Sequence, residues 1–229
     1  EDVAADELLQ ALDDDFVGHD ALRERLTQES PRVGLNDPAV DDLLVRLYDW
    51  LAGACEAELE GSGLVVRPGT GTAMYYLWLA RGRSDGPLPE PVVGATADGR
   101  RRGDPFGANL APTPGTQLRG PISVLQSYAK VDYERICNGG PITLELSDSV
   151  FRGDESIGKV AALVRTFATL GGQQLQLNAL SADTLLDAKA HPEDHRDLIV
   201  RVWGWSGYFC ELSPEYQDHV IARHLHAEV

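Results

Sequence analysis

From Asp6 to Arg25 apolar residues recur at intervals of three and four (Leu8, Leu9, Leu12, then Phe16 and Leu22), the spacing that gathers side chains on one helix face. The acidic run Asp13-Asp14-Asp15 and Gly18 interrupt it, so two short helices are expected rather than one. After Asn36-Asp37-Pro38, where Asn or Asp can cap and proline suits a first turn, a longer amphipathic helix is expected over residues 39–59. Its apolar stripe is Val40, Leu43, Leu44, Leu47, Trp50 and Leu51. Leu64-Val65-Val66-Arg67 then forms a β-branched run that enters the glycine turn Gly69-Thr70-Gly71, and the apolar stretch Met74 to Leu79 follows. A buried strand and the start of a helix are the expected pair.

Residues 82–120 show neither period and are rich in Gly, Pro and Arg; a loop of this length is usually functional or packed against something. Asp98-Gly99 marks a turn within it. Beyond it the pattern alternates: helix at 121–130, strand at 142–146, helix at 157–170, strand at 175–179, helix at 182–191, strand at 198–202, and a closing helix at 214–224. Alternation of this kind predicts βαβ units with parallel pairing, an α/β fold.

With 229 residues, 43% of them hydrophobic, the chain can fill a core. A formal charge of −16 argues against nucleic acid and anionic membranes as partners and leaves a small molecule or another protein. The three cysteines, Cys55, Cys137 and Cys210, have no C-x-x-C spacing, so neither a disulfide framework nor a zinc site is expected. The sequence starts at Glu1-Asp2-Val3 without a signal-peptide pattern and has no 18-residue apolar run, from which a cytoplasmic location is expected. His19, His191, His195, His219, His224 and His226 form no tight ligand set, so no metal is expected. Arg100-Arg101-Arg102 is expected to pair with the chain's own carboxylates, and Gly69-Thr70-Gly71 lacks the Gly-Lys-Ser/Thr of a phosphate loop.

The segment that stands apart is Val200-Arg201-Val202-Trp203-Gly204-Trp205-Ser206-Gly207-Tyr208-Phe209. A glycine between two tryptophans at a strand end ordinarily means a positive φ, or a neighbour packed too close for a Cβ. A second meaning comes from resemblance. Arg201-Val202-Trp203-Gly204 followed by an aromatic residue resembles the signature of the glycyl radical enzyme superfamily, to which pyruvate formate-lyase, glycerol dehydratase and choline trimethylamine-lyase belong. Four blocks ahead of it agree in order. Gly94 to Gly103 is similar to the family's Gly-Ala-Thr-x-Asp-Gly-Arg loop, and Ser127 to Lys130 to its Ser-x-x-Lys helix. Gly171 to Asn178 is similar to Gly-Gly-x-x-x-Gln-x-Asn, and His191-Pro192-Glu193 to Val200 to the lead into the radical loop.

The resemblance implies the C-terminal part of a ten-stranded α/β barrel completed by another polypeptide, with residues 1–93 as a helical segment plus barrel strand and 94–229 as the glycyl radical domain. It implies that Gly204 stores the radical within a loop of Arg201, Val202, Trp203, Trp205 and Ser206. The chemistry requires glycine: a Cα radical is stabilised between amide nitrogen and carbonyl, and a side chain would twist that plane. Burial away from oxygen is expected, and so is a conformational gate for activation. No cofactor is expected to stay bound. An activating enzyme with a [4Fe-4S] cluster and S-adenosylmethionine would install the radical. The family also needs a thiyl cysteine, commonly with a glutamate two residues on, and Cys55-Glu56, Cys137-Asn138 and Cys210-Glu211 all lack that context. A partner carrying this loop is therefore expected, the chain being a split subunit, a fragment, or a spare part that rescues an oxygen-damaged enzyme. The Trp-Gly-Trp loop and Arg67-Pro68-Gly69 resemble the lyases of hydroxyalkanesulfonates such as isethionate, with lyases of the arylacetate decarboxylase, diol dehydratase or choline lyase type as the alternatives. Arg67 at the end of its β-branched run is expected to be buried, either paired with one of the 36 acidic residues or offering its planar fork to a small anionic substrate.

Overall fold

The computed structural model describes residues 3–70, 92–107, 109–113, 116, 119–146, 153–202 and 204–225. Met74 to Leu79, Trp203 and His226 lie outside the described residues. Two short helices, α1 (Ala5–Asp13) and α2 (Asp20–Glu24), are separated where Asp15 and Phe16 take positive φ, and a single π turn (Arg25–Glu29) extends α2. Helix α3 (Pro38–Glu58) starts as expected, with the Asp37 carboxylate accepting from the Ala39 amide at 2.9 Å and proline in the first turn.

Three strand pairs follow. Strand β1 (Gly69–Thr70) runs parallel to β2 (Asn138–Gly139). Strands β3 (Ile142–Leu146) and β4 (Leu175–Ala179) are parallel and in register from Ile142↔Leu175 to Leu146↔Ala179, with the connecting helix α5 (Asp154–Thr169) completing a βαβ unit. Helix α4 (Pro121–Tyr128) lies ahead of that unit. Helix α6 (Ala182–Ala190) then leads to β5 (Ile199–Arg201), and this strand departs from the expected parallel pattern. It pairs antiparallel with β6 (Ser206–Tyr208), because the chain reverses between Val202 and Trp205 instead of crossing over through a helix. Helix α7 (Pro214–Leu225) closes the described structure.

Two main apolar cores result. One gathers Leu110, Val124, Leu125, Tyr128, Ile142, Leu144, Leu163 and Phe167, with Val33, Leu44 and Tyr48 packed against it, so residues on both sides of position 93 share a core. The other gathers Leu185, Ala188, Val200, Val202, Phe209, Tyr216, Val220 and Ile221 around the β5–β6 hairpin.

Two of the blocks noted in the sequence prove to be joints. Ser127 is fully buried, and its hydroxyl accepts from the amides of Gly34 (3.0 Å) and Asn36 (2.8 Å). Lys130 reaches the fully buried carboxylate of Asp41 at 2.6 Å, which fixes α4 against α3. Arg100 does not pair with a carboxylate as expected. Its guanidinium stacks on the Phe106 ring at 4.0 Å and donates to the carbonyls of Val93, Gly94, Arg101 and Asp104, the fork geometry making it the hub of its loop. Burial pulls its pKa below the ordinary value of an arginine. Arg101 does pair, with Asp20 at 3.2 Å.

Half of the expected stripe of α3 faces outward: Leu43 and Leu47 are 59% exposed and Trp50 68%. The face turned inward carries Leu44 of that stripe together with Asp41, Tyr48 and Ala52, and the buried Asp41 carboxylate meets Lys130 there. Leu64, Val65 and Val66 are likewise exposed, and only Gly69–Thr70 of that run forms a strand.

Candidate functional site

The hairpin is built by alternation. Val200 and Val202 point into the core and are essentially inaccessible, whereas Ile199 and Arg201 face outward. Pairing runs from Ile199↔Tyr208 to Arg201↔Ser206, and the Val202 amide then donates to the Trp205 carbonyl at 2.9 Å. The chain reverses between Val202 and Trp205, with Gly204 in the turn. Gly204 has φ of +80°, the left-handed region that hairpin turns of this length demand. An added Cβ there would meet nothing within 4 Å. Of the two ordinary reasons for a glycine, conformation applies and close packing does not.

Trp205 packs partly against the hairpin core, behind which Tyr216 and Phe209 lie; burial raises the Tyr216 hydroxyl pKa above 10.0, so it stays protonated. Ser206 receives a hydrogen bond from Arg201 Nη1 at 3.2 Å. The loop residues Arg201, Val202, Trp205 and Ser206 thus surround Gly204 in one tight turn, on a rigid strand pair.

The base of the turn meets a polar network that sequence reasoning did not assemble. Arg223 of α7 donates to the carbonyls of Arg201 (3.3 Å) and Val202 (3.4 Å) and faces Glu145 of β3 at 3.5 Å, with side-chain exposures of only 9% and 11%. Glu145 sits opposite Asn178 in the β3–β4 register, and Asn178 donates to it at 2.9 Å. Gln176 donates to Asn178 (3.2 Å) and to the Val202 carbonyl (3.4 Å) and accepts from Arg201 Nε (3.4 Å). Gln176 and Asn178 belong to the Gly171-to-Asn178 block; a charged Glu145 inside an apolar strand was the available signal for the rest.

Arg67 is exposed, not buried. Its Nη1 donates to the Glu134 carbonyl at 2.8 Å, and it lies near enough to Glu56 to help lower that carboxyl's pKa. Cys210 is a packed residue: it lies against the hairpin core and its thiol donates to the His195 carbonyl at 3.3 Å. Cys55 is half-buried and Cys137 exposed. His19 and His195 pair with Asp14 (3.0 Å) and Asp187 (2.7 Å), and among the described residues no three His, Cys, Asp or Glu side chains converge as a metal site would require. No helix among them is long and apolar enough to cross a membrane.

The site is thus a parallel β3–β4 unit followed by an antiparallel hairpin with an exposed, left-handed glycine at its tip. The chain belongs to the glycyl radical enzyme superfamily. Residues 106–210 match the sequence model of the glycine radical family. The chain is 34% identical over 229 residues to the probable dehydratase YbiW of Escherichia coli K12, covering 98% of this chain and 28% of that protein. It is 36% identical over 137 residues to the isethionate sulfite-lyase of Oleidesulfovibrio alaskensis, covering 59% of this chain and 16% of that protein. Among solved structures, the glycerol-bound B12-independent glycerol dehydratase of Clostridium butyricum superposes with a TM-score of 0.83 at 26% identity, over 96% of this chain and 27% of that one. The chain therefore spans about a quarter of the length of the YbiW and glycerol dehydratase chains.

Proposed function

We propose that this chain stores a radical on the α-carbon of Gly204 and passes it to a cysteine on polypeptide outside these 229 residues, the two forming a radical lyase. The observation that carries this reading is the hairpin tip: an Arg-Val-x-Gly segment whose glycine is exposed, has a positive φ, and would place an added Cβ within 4 Å of nothing beyond its two chain neighbours. An activating enzyme with a [4Fe-4S] cluster and S-adenosylmethionine takes one α-hydrogen atom from Gly204. The electron left behind is shared between the flanking amide nitrogen and carbonyl. Such a radical needs a site closed to oxygen, and Gly204 is open here. The missing cover matches two further features, the exposed Leu43, Leu47 and Trp50 stripe and the exposed Leu64 to Val66 run. We assign the cover to a large subunit or segment that carries the Cys/Glu loop and the remaining barrel strands.

Turnover follows from hydrogen-atom bookkeeping. The Gly204 radical takes hydrogen from the partner thiol. The thiyl radical then takes hydrogen from the hydroxyl-bearing carbon of the substrate, and a base removes the hydroxyl proton. The substituent on the adjacent carbon leaves with its bonding pair, and the product radical recovers hydrogen from the thiol. For a hydroxyalkanesulfonate such as isethionate the leaving group is sulfite, and Arg67, once enclosed, binds the sulfonate. A diol would lose water by the same steps; similarity to YbiW along nearly the whole chain favours this second reading. Electron paramagnetic resonance after anaerobic activation tests the radical. Supplying isethionate or 1,2-propanediol to the completed enzyme and measuring sulfite or aldehyde then separates the substrates. A co-purifying partner with its own glycyl loop would point to the spare-part role instead.

A further inference from the structure

Among the described residues, the hairpin core and the β3–β4 core are separate apolar clusters. Between them, at the base of the turn, lies a layer of polar side chains: Gln176, Asn178 and Glu145 from the sheet, Arg201 and Arg223 from the hairpin and α7. Two of these side chains donate to backbone. Arg223 and Gln176 converge on the carbonyl of Val202, and Arg223 also takes that of Arg201. These two carbonyls belong to the last residues before Trp203-Gly204, so fixing them fixes the direction in which the turn presents the glycine α-carbon. Asn178 and Glu145 contribute indirectly. Asn178 accepts from Gln176 and donates to Glu145, and Glu145 neutralises the buried guanidinium of Arg223.

We infer that Arg223 and Gln176 are positioning residues for the radical loop, held in place by Glu145 and Asn178. This rests on the reading that Gly204 stores the radical. None of the four need touch substrate. Carbonyl contacts of 3.3 to 3.4 Å are long, so each is individually weak, and the convergence of two donors on Val202 supplies the rigidity. A polar joint suits the task, since its hydrogen bonds exchange with water at little net cost whereas a shared apolar core would not part so readily.

The test uses the full chain and two independent readouts. In Gln176→Leu, amide hydrogen exchange at Val202 and across residues 199–208 should rise about tenfold, the effect of losing one or two ordinary hydrogen bonds, while β3, β4 and α5 keep their protection. After anaerobic activation the variant should form the radical signal but lose it several-fold faster than wild type, a change that a merely structural residue would not cause. Arg223→Lys keeps the charge opposite Glu145 but gives up the fork, and should fall between the two. Should Gln176→Leu fold poorly, the pair Glu145→Gln with Arg223→Met removes the fork without leaving a buried charge unpaired, and should show the same localised exchange. Unchanged exchange at Val202, or equal acceleration in β3 and β4, overturns the inference. If wild type gives no radical signal, the Gly204 reading falls and the positioning inference with it. A wild-type signal with unaltered decay in both variants sinks the positioning inference alone.

Discussion

Replacing Gly204 separates the two reasons a glycine could occupy this turn. An alanine Cβ there would meet nothing within 4 Å, so there is no overlap to relieve and no neighbour to displace. What remains is the backbone: at φ of +80° an L-residue is strained by about 1–2 kcal/mol. Gly204→Ala should lower stability by about that amount, and Gly204→Asn by less, since asparagine tolerates the left-handed region better. Urea unfolding of the purified chain, followed by tryptophan fluorescence and extrapolated linearly, measures both. Both variants should nevertheless give no radical signal after activation, because each puts a side chain on the carbon that must become planar. A loss above ~4 kcal/mol in Gly204→Ala, or an asparagine variant less stable than the alanine one, would mean that unseen packing decides the residue and would refute this reasoning.

Other substitutions probe the supports. Lys130→Met strands the fully buried Asp41 carboxylate and should cost about 3–5 kcal/mol in chemical denaturation, most of it recovered when Asp41→Leu is added. Gly207→Ala places a Cβ 2.8 Å from the Trp205 ring; the ring must shift, costing about 1–3 kcal/mol with an altered tryptophan emission spectrum. Arg100→Lys keeps the charge but surrenders most of the carbonyl contacts, so limited proteolysis should cut residues 93–106 several-fold faster. The Glu56 carboxyl is held below its ordinary value of 4.5, first by the hydrogen bond from Arg135. Being depressed on folding, it contributes stability that is complete above pH 4.5 and lost as pH falls through the lowered value, and Arg135→Met should flatten the stability profile across that window.

The secondary elements that carry strong periodicity were legible: α1, α2, α3, α5 and the parallel β3–β4 pair all lie where apolar spacing puts them. The left-handed backbone of Gly204 was legible, since a glycine flanked by tryptophans indicates special geometry; its proposed chemistry rests on the resemblance of the blocks ahead of it. What failed did so for physical reasons. Apolar stripes report that a face needs cover without naming the cover, so the Leu43, Leu47 and Trp50 stripe of α3 and the Leu64 to Val66 run read as core yet lie exposed. Arg67 lies exposed with them. Hairpin formation at β5–β6 was hidden because Val200 and Val202 alternate with exposed residues as they would in any strand, and only the turn decides the pairing partner. The joint of Glu145, Gln176, Asn178 and Arg223 spans 79 residues of sequence and becomes visible only when register sets Glu145 against Asn178.

In the proposed reading one α-carbon, that of Gly204, holds the unpaired electron. Electron paramagnetic resonance of the anaerobically activated chain, prepared with ordinary glycine and with α-deuterated glycine, addresses it directly. One remaining α-hydrogen should split the line into a doublet, deuteration should collapse it, and Gly204→Ala should be silent. A signal of undiminished intensity in Gly204→Ala, or none in wild type beside an activating enzyme that works on another family member, would contradict the account.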